Sequence, residues 1–242
     1  MGKAIRVLFG VGLLAALVVV VGGYGFFAAV YPRVSPASDI TANPTPERLA
    51  RGKYLAKTVM GCLDCHAERR PDRYAWPLVP GTEGAGGGRW GRENGVPGTV
   101  YAPNITPAAL GDWTDGEIYR AITAGLDRDG EPLFPIMPYA LYGTADPEDI
   151  FAVIAYLRTL PPIETAHPER ELDFSMELIL QTIPVDGTPT KKPRANEHPA
   201  YGRYLATIAA CQECHTAFSS ATARSPARLM PAGVSFALPG SG

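Results

Sequence analysis

The 242-residue sequence lacks an excess of charge of either sign, with 22 Lys and Arg against 24 Asp and Glu. It has no basic stripe or cluster of the kind that tracks a nucleic-acid backbone, which excludes that class of partner. No Gly-Lys-Ser/Thr follows the glycine-rich stretch 81–98, so that stretch is not a phosphate loop. Its plainer reading is a flexible loop. Histidine and cysteine are scarce, four of each. Proline and glycine are abundant, at 24 and 26 residues, which favours short helices joined by long irregular connections over a large sheet.

The scarce residues are not scattered. The cysteines form two tight pairs, Cys62/Cys65 and Cys211/Cys214, and each pair is followed at once by a histidine, His66 and His215. A disulfide framework has no use for a histidine at that fixed offset. The pairs lie too far apart in the chain for a zinc ribbon, and no βαβ context supports a thioredoxin-like redox motif. Covalent haem attachment accounts for both segments at once. The thiols add to the porphyrin vinyl groups and the adjacent histidine is held beneath the iron.

Charge is absent from Val7 to Pro32, and Val7–Val30 is almost wholly apolar. That run meets the ~20 residues a helix needs to cross a hydrocarbon core. Lys3 and Arg6 precede it, which by the positive-inside rule keeps the N-terminus cytoplasmic and sends the rest outward. A cleaved signal peptide is the competing reading, with Ser35-Pro36-Ala37 as a poor cleavage site, but its apolar region is normally shorter. Either topology takes the cysteines out of the cytoplasm.

Residues 1–32 are therefore expected to form an anchor and 33–44 a linker. A first domain then spans 45–165, a connector 166–195 and a second, partial domain 196–242. Thr45-Pro46-Glu47 predicts an N-cap, a first-turn proline and a well-placed acid for a helix running towards Cys62. Thr114-x-x-Glu117 is a capping box, with Ile118, Ala121 and Ile122 on one face and Gly125 as a stop. Another helix starts at Asp146-Pro147, carries Ile150, Val153, Ile154 and Leu157 at helical spacing, and ends by Pro161-Pro162. In the connector, Met176–Ile183 reads as a short helix.

Gly202-Arg203-Tyr204-Leu205-Ala206 repeats Gly52-Lys53-Tyr54-Leu55-Ala56, with one residue fewer before the next cysteine. This is an internal duplication. The second copy has roughly 48 residues, too few to bury a core unaided. Gly233–Gly242 corresponds to the stretch just before Tyr101 in the first copy. The expectation is a C-terminally truncated product or fragment, ahead of a minimal second domain.

The iron position opposite histidine decides the job, and a methionine thioether there suits electron transfer. For the first haem the candidate is Met137, in the proline-stiffened Pro135-Ile136-Met137-Pro138; Met60 is expected to pack. For the second, Met230 is a weak candidate and Met176, His167 and His198 are no better placed. His167 and His198 read as solvated. The mixed-sign cluster Glu68-Arg69-Arg70-Pro71-Asp72-Arg73 reads as a solvated loop ahead of a docking patch for an acidic partner.

Four segments carry a family likeness: Gly61-Cys62-Leu63-Asp64-Cys65-His66, Tyr101-Ala102-Pro103-Asn104-Ile105-Thr106-Pro107, Gly111-Asp112-Trp113-Thr114-Asp115-Gly116-Glu117 and Met137-Pro138-Tyr139. With Ala155–Pro162 they resemble class I c-type cytochromes, most similarly the multihaem cytochrome subunits of membrane-bound alcohol and gluconate dehydrogenases. The likeness covers about 45–165 in full and 196–242 in part. It implies a mainly α fold: one N-terminal transmembrane helix followed by cytochrome c-type helical haem domains, the second incomplete. It implies two covalently bound haem c groups, with Cys62, Cys65, His66 and Met137 holding the first and Cys211, Cys214 and His215 the second. The iron ligands are then His66, Met137 and His215. The implied role is electron transfer between a periplasmic dehydrogenase and a quinone-linked complex or oxidase, at the bacterial cytoplasmic membrane, without a substrate or catalytic residues of its own. A di-haem peroxidase-like enzyme is the alternative class, and a haem-switched scaffold or sensor a third.

Overall fold

The computed structural model of the chain describes residues 2–215. Helix α1 (Gly2–Val30) contains a span, Ile5–Phe27, of 23 residues and mean hydropathy 2.5, none of it covered by the rest of the molecule. Its length and composition suffice to cross a membrane.

The body beyond it is mainly helical and assembles around the crossing of two helices. In α2 (Pro46–Tyr54) the Thr45 hydroxyl accepts from the Arg48 amide at 3.2 Å, Pro46 opens the first turn and Glu47 complements the positive end. The helix does not stop at Tyr54. It continues through a π turn, Leu55–Val59, closed by Met60 N–H donating to the Leu55 carbonyl at 2.8 Å. A π turn accommodates one extra residue without breaking the helix, and one residue is the excess of the first copy over the second ahead of the cysteines.

The predicted capping box is present: α5 (Asp115–Ala124) begins with Thr114 and Glu117 satisfying each other's backbone amides and ends at Gly125. Helix α7 (Pro147–Leu157) is capped by Asp146, and a last turn to Leu160 carries the chain to the prolines. Helix α2 crosses α7 at Gly52, where an added Cβ would lie 1.8 Å from the Ala152 carbonyl oxygen. Only glycine allows that approach. Leu55, Ile150, Val153 and Ile154 are wholly buried around the crossing, with Met60, Leu63, Ile118 and Ile122 beside them. Each large apolar side chain so placed contributes roughly 1.5–3 kcal/mol. Short helices α3 (Cys62–Cys65), α4 (Pro107–Leu110) and α6 (Tyr139–Tyr142) complete this part.

A small antiparallel sheet, not foreseen from the sequence, joins β1 (Arg89–Trp90), β2 (Gly98–Tyr101) and β3 (Glu171–Leu172) in that order. Strands of two to four residues are too short to print a clear alternating pattern. The sheet draws the connector back across the first copy. Helix α8 (Phe174–Leu180) follows, starting two residues ahead of the expected Met176.

Helix α9 (His198–Ile208) leads to α10 (Cys211–His215). Tyr204 and Ile208 of α9 are buried in the same cluster as the α2–α7 crossing. Beneath them the carboxylate of Asp149, 1% exposed, is a hub. It takes two bonds from Arg51 (2.6 and 3.0 Å), one from Lys192 Nζ (2.6 Å) and one from the Tyr204 hydroxyl (2.7 Å). Helices α2, α7 and α9 and the connector meet at this one group.

Candidate haem-attachment sites

Cys62 and Cys65 are the first and last residues of α3, so both thiols rise from one helical turn. Gly61 sets the turn up with a left-handed backbone, φ 62°, and its carbonyl accepts from the Asp64 amide at 2.9 Å. Just upstream, the buried Tyr142 hydroxyl donates to the Met60 carbonyl at 2.7 Å. Both cysteines are free thiols. Burial pushes Cys62 up to about 12 and raises Cys65 as well, so both are protonated at neutral pH.

His66 follows as the helix cap, and its Nδ1 lies 2.7 Å from the Pro103 carbonyl oxygen. A carbonyl oxygen only accepts, so Nδ1 carries the proton and the Nε2 lone pair is left for another partner. Burial lowers the pKa of the ring, which favours the neutral form a metal ligand requires.

The Pro103 carbonyl is itself positioned. Asn104, buried, donates to the Ile163 carbonyl at 2.6 Å and to the Thr165 hydroxyl at 3.0 Å, while its Oδ1 accepts the Thr106 amide and hydroxyl, each at 2.8 Å. The glycine-rich stretch forms the other wall. Gly86 and Gly88 donate to the carbonyls of His66 and Cys65, both at 3.1 Å, while Gly87 and Ile105 close bonds across to the opposite strand. Far from being a free loop, 84–88 splices the attachment turn to the segment that holds the histidine. His167 is caught in the same seam, its Nε2 2.7 Å from the Ala85 carbonyl. The expectation that it is solvated is corrected, because the sheet pulls the connector over this wall. His198 is exposed.

Met137 lies half-buried in a turn between Phe134 and Pro138, on the fringe of the core that Cys62 also borders. Met60 is a core residue, as expected. Tyr139, two residues on, is pushed up to about 12 by burial, and its hydroxyl is without a partner among the described residues. Leu78, Ile105, Leu110 and Trp113 line the same fringe only partly covered. Two free thiols, an imidazole with a fixed tautomer and incompletely covered apolar side chains fit a covalently held haem. The arginines after His66 are engaged nearby, Arg69 with Asp64 and Arg70 with Asp72, which favours the solvated-loop reading of 68–73.

The second attachment segment repeats the turn and not its surroundings. Ala210 takes the place of Gly61 with φ 54°, and its carbonyl accepts the Glu213 amide at 2.9 Å. Cys211 is a free thiol at the start of α10, and His215 at its end is exposed with no hydrogen-bond partner among the described residues. Met230 and Gly233–Gly242 lie outside the described residues. Pro103, Asn104 and Thr106 are the positions to which sequence reasoning assigned no role. Their signal was present in the 101–107 motif, without anything to say that a carbonyl was its product.

No family model matches the chain. It is 29% identical over 196 residues to the fructose dehydrogenase cytochrome subunit of Gluconobacter japonicus, covering 76% of this chain and 38% of that protein. It is 30% identical over 183 residues to the cytochrome c subunit of the quinone alcohol dehydrogenase of Gluconacetobacter polyoxogenes, covering 69% and 35%. A diheme c-type cytochrome of Cereibacter sphaeroides is 28% identical over 227 residues, covering 90% and 73%. The chain is thus a homologue of dehydrogenase cytochrome c subunits, and it spans little more than a third of the length of the two dehydrogenase subunits.

Proposed function

We propose that this homologue of dehydrogenase cytochrome c subunits is a membrane-anchored cytochrome carrying two covalently bound haems and passing electrons from a periplasmic donor to a respiratory acceptor. One observation carries the reading: an imidazole, fixed through Nδ1 by the Pro103 carbonyl, stands directly after a turn bearing two free thiols. A carbonyl on the far ring nitrogen sets both the tautomer and the orientation of a metal-binding histidine and raises its basicity.

Cys62 and Cys65 would hold the porphyrin by thioether bonds, and His66 Nε2 and Met137 would serve as ligands to its iron. Cys211, Cys214 and His215 would hold a second group in the same way. Held by an imidazole and a thioether, the group would supply a one-electron couple of raised potential. The chain's own contribution is steric and electrostatic. The Asn104–Thr106 bonds keep the Pro103 carbonyl in place, and the apolar fringe with Ile105 and Trp113 excludes water. The names of the relatives support a dehydrogenase as donor. The apolar length of α1 supports a single-pass anchor in the cytoplasmic membrane with the haem-bearing part in the periplasm.

A second reading is a peroxidase-like enzyme with an open second haem: His215 is exposed and has no hydrogen-bond partner among the described residues. Haem stoichiometry and the reduced visible spectrum with and without carbon monoxide separate the readings. Two haems per chain and no response to carbon monoxide is the expected result for a carrier. A response from half the haem marks an open second site, which peroxide turnover then assigns to enzyme or carrier. A response from all of it removes Met137 as a ligand, and a single haem per chain removes the di-haem reading.

A further inference from the structure

Phe174, Leu178 and Ile179 of α8 are not among the side chains that border the first candidate haem site. Phe174 is 82% exposed, Leu178 40% and Ile179 53%, and Val185 just beyond the helix is 54% exposed. Phe174 and Leu178 stand one turn apart on one face, with Ile179 beside them, while Leu180 turns inward and is fully buried. Such a group of large apolar side chains on one side of a short helix calls for a covering partner.

Its position says which. Val185 pairs through the backbone with Arg33, and Asp186 accepts from both the Ser35 amide (3.0 Å) and the Ser35 hydroxyl (2.7 Å). The segment that follows α8 is therefore stitched to the residues just beyond α1. That junction carries the markings of a membrane boundary. Tyr31 packs on Phe27 with ring centroids 5.2 Å apart, and the Arg33 guanidinium sits 5.0 Å over the Tyr31 ring. Aromatic and basic side chains at the end of a span take the headgroup level. Turns at Ile179–Thr182 and Leu180–Ile183 fold the intervening residues back, keeping α8 close to Val185.

We propose that the exposed face of α8, together with Val185, rests in the interfacial layer of the bilayer that α1 enters, so that the haem-bearing body is held against the lipid surface at two places. This rests on the reading of α1 as a retained anchor. An amphipathic helix lying in the interface buries its apolar side a few ångströms among the headgroups. The acids of α8 do not oppose this. Asp173 is paired with Arg92 at 2.6 Å and Glu177 with Arg170 at 3.1 Å, so both arrive neutralised.

The test uses the full haem-loaded chain in nanodiscs of phosphatidylethanolamine and phosphatidylglycerol. A nitroxide is carried on a ketone amino acid that replaces Phe174, Ile179, Val18 or Tyr74 in turn, leaving the cysteines alone. Accessibility to oxygen, which concentrates in lipid, is compared with accessibility to a water-soluble nickel chelate. Val18 lies within the α1 span and Tyr74 is 99% exposed on the body, so they serve as lipid and water standards. Oxygen-dominated accessibility at 174 and 179, on the side of Val18 and opposite to Tyr74, is the expected result. Water-like values at 174 and 179 with a lipid-like Val18 overturn the proposal and leave the anchor standing. A water-like Val18 removes the anchor and the proposal together. Low accessibility to both reagents at 174 overturns it in favour of a second copy as the cover.

Discussion

Gly52-Lys53-Tyr54-Leu55-Ala56 in α2 and Gly202-Arg203-Tyr204-Leu205-Ala206 in α9 differ at one position in five, yet they bury different faces. In α2 and the π turn that continues it, Gly52, Leu55 and Ala56 turn inward beneath α7 while Tyr54 is 42% exposed. In α9, Tyr204 is the buried residue, Ile208 one turn later is wholly covered, and Gly202 meets nothing within 4 Å. The helix is rolled by roughly one residue's worth of rotation, about 100°. Sequence alone does not choose the face; the available partner does. The first copy supplies its own crossing helix, α7. The second copy's helix is covered by the first copy's core, so among the described residues the two share one interior.

If α9 is held by a borrowed interior, the Asp149 hub is where the arrangement is most easily broken. Asp149→Ala leaves Arg51 and Lys192 without their buried counter-charge, and disruption of one member of such a group costs about 3–5 kcal/mol. Denaturant unfolding of the haem-loaded chain should register that loss, and hydrogen exchange should show α9 losing protection along with α2. Protection of α9 that survives in the variant would mean the second copy is held by something else. The pH response has a definite sign. Burial by itself would raise the carboxyl, but hydrogen bonds from Arg51, Lys192 and Tyr204 outweigh it and leave the pKa below the usual carboxylate range. A depressed folded-state pKa gives stabilisation that is complete above the unfolded value of about 4 and is lost as pH falls through the folded one. The clamp is thus intact at neutral pH and fails only in acid.

The paired glycines give the next contrast. Gly52→Ala forces a methyl into the Ala152 carbonyl and should cost at least the ~1–3 kcal/mol of an overpacked core. Gly202→Ala, in the middle of a helix with open space around it, should stabilise by roughly 0.5–1 kcal/mol. Opposite signs from the same substitution in the same motif, read as shifts in the thermal midpoint, would establish that the faces differ. Equal effects would sink the comparison.

What could be read in advance follows the range of the interaction. The caps at Thr45, Thr114 and Asp146 and the spacing of Ile150, Val153, Ile154 and Leu157 are local, and each reappears in the structure. The candidate attachment turn could be singled out because haem attachment would need residue types at fixed offsets. The Pro103 carbonyl was not, because any residue presents a carbonyl and only the fold decides where it points. Likewise His167 looks solvated among its neighbours in sequence and is held by the Ala85 carbonyl in space. The π turn sits between these cases. Its signal was the one-residue excess of the first copy, which has a structural meaning only once both helices can be seen.

The residue before each first cysteine gives the smallest and cleanest contrast. Gly61 and Ala210 both adopt the left-handed region, φ 62° and 54°, and both carbonyls accept the amide three residues on, at Asp64 and Glu213. An L-residue with a Cβ pays roughly 1–2 kcal/mol for that conformation, and glycine returns part of the gain through its freer unfolded chain. Ala210→Gly should therefore stabilise the second attachment turn by about 1 kcal/mol or less. Gly61→Ala should cost about 1 kcal/mol through the same backbone strain, with the added Cβ 3.0 Å from the Asp64 carboxylate. Exchange rates of the Asp64 and Glu213 amides read the two turns separately within one molecule. If Ala210→Gly instead speeds exchange at Glu213, the left-handed turn is not the conformation that the second copy needs, and the likeness of the two attachment turns goes with it.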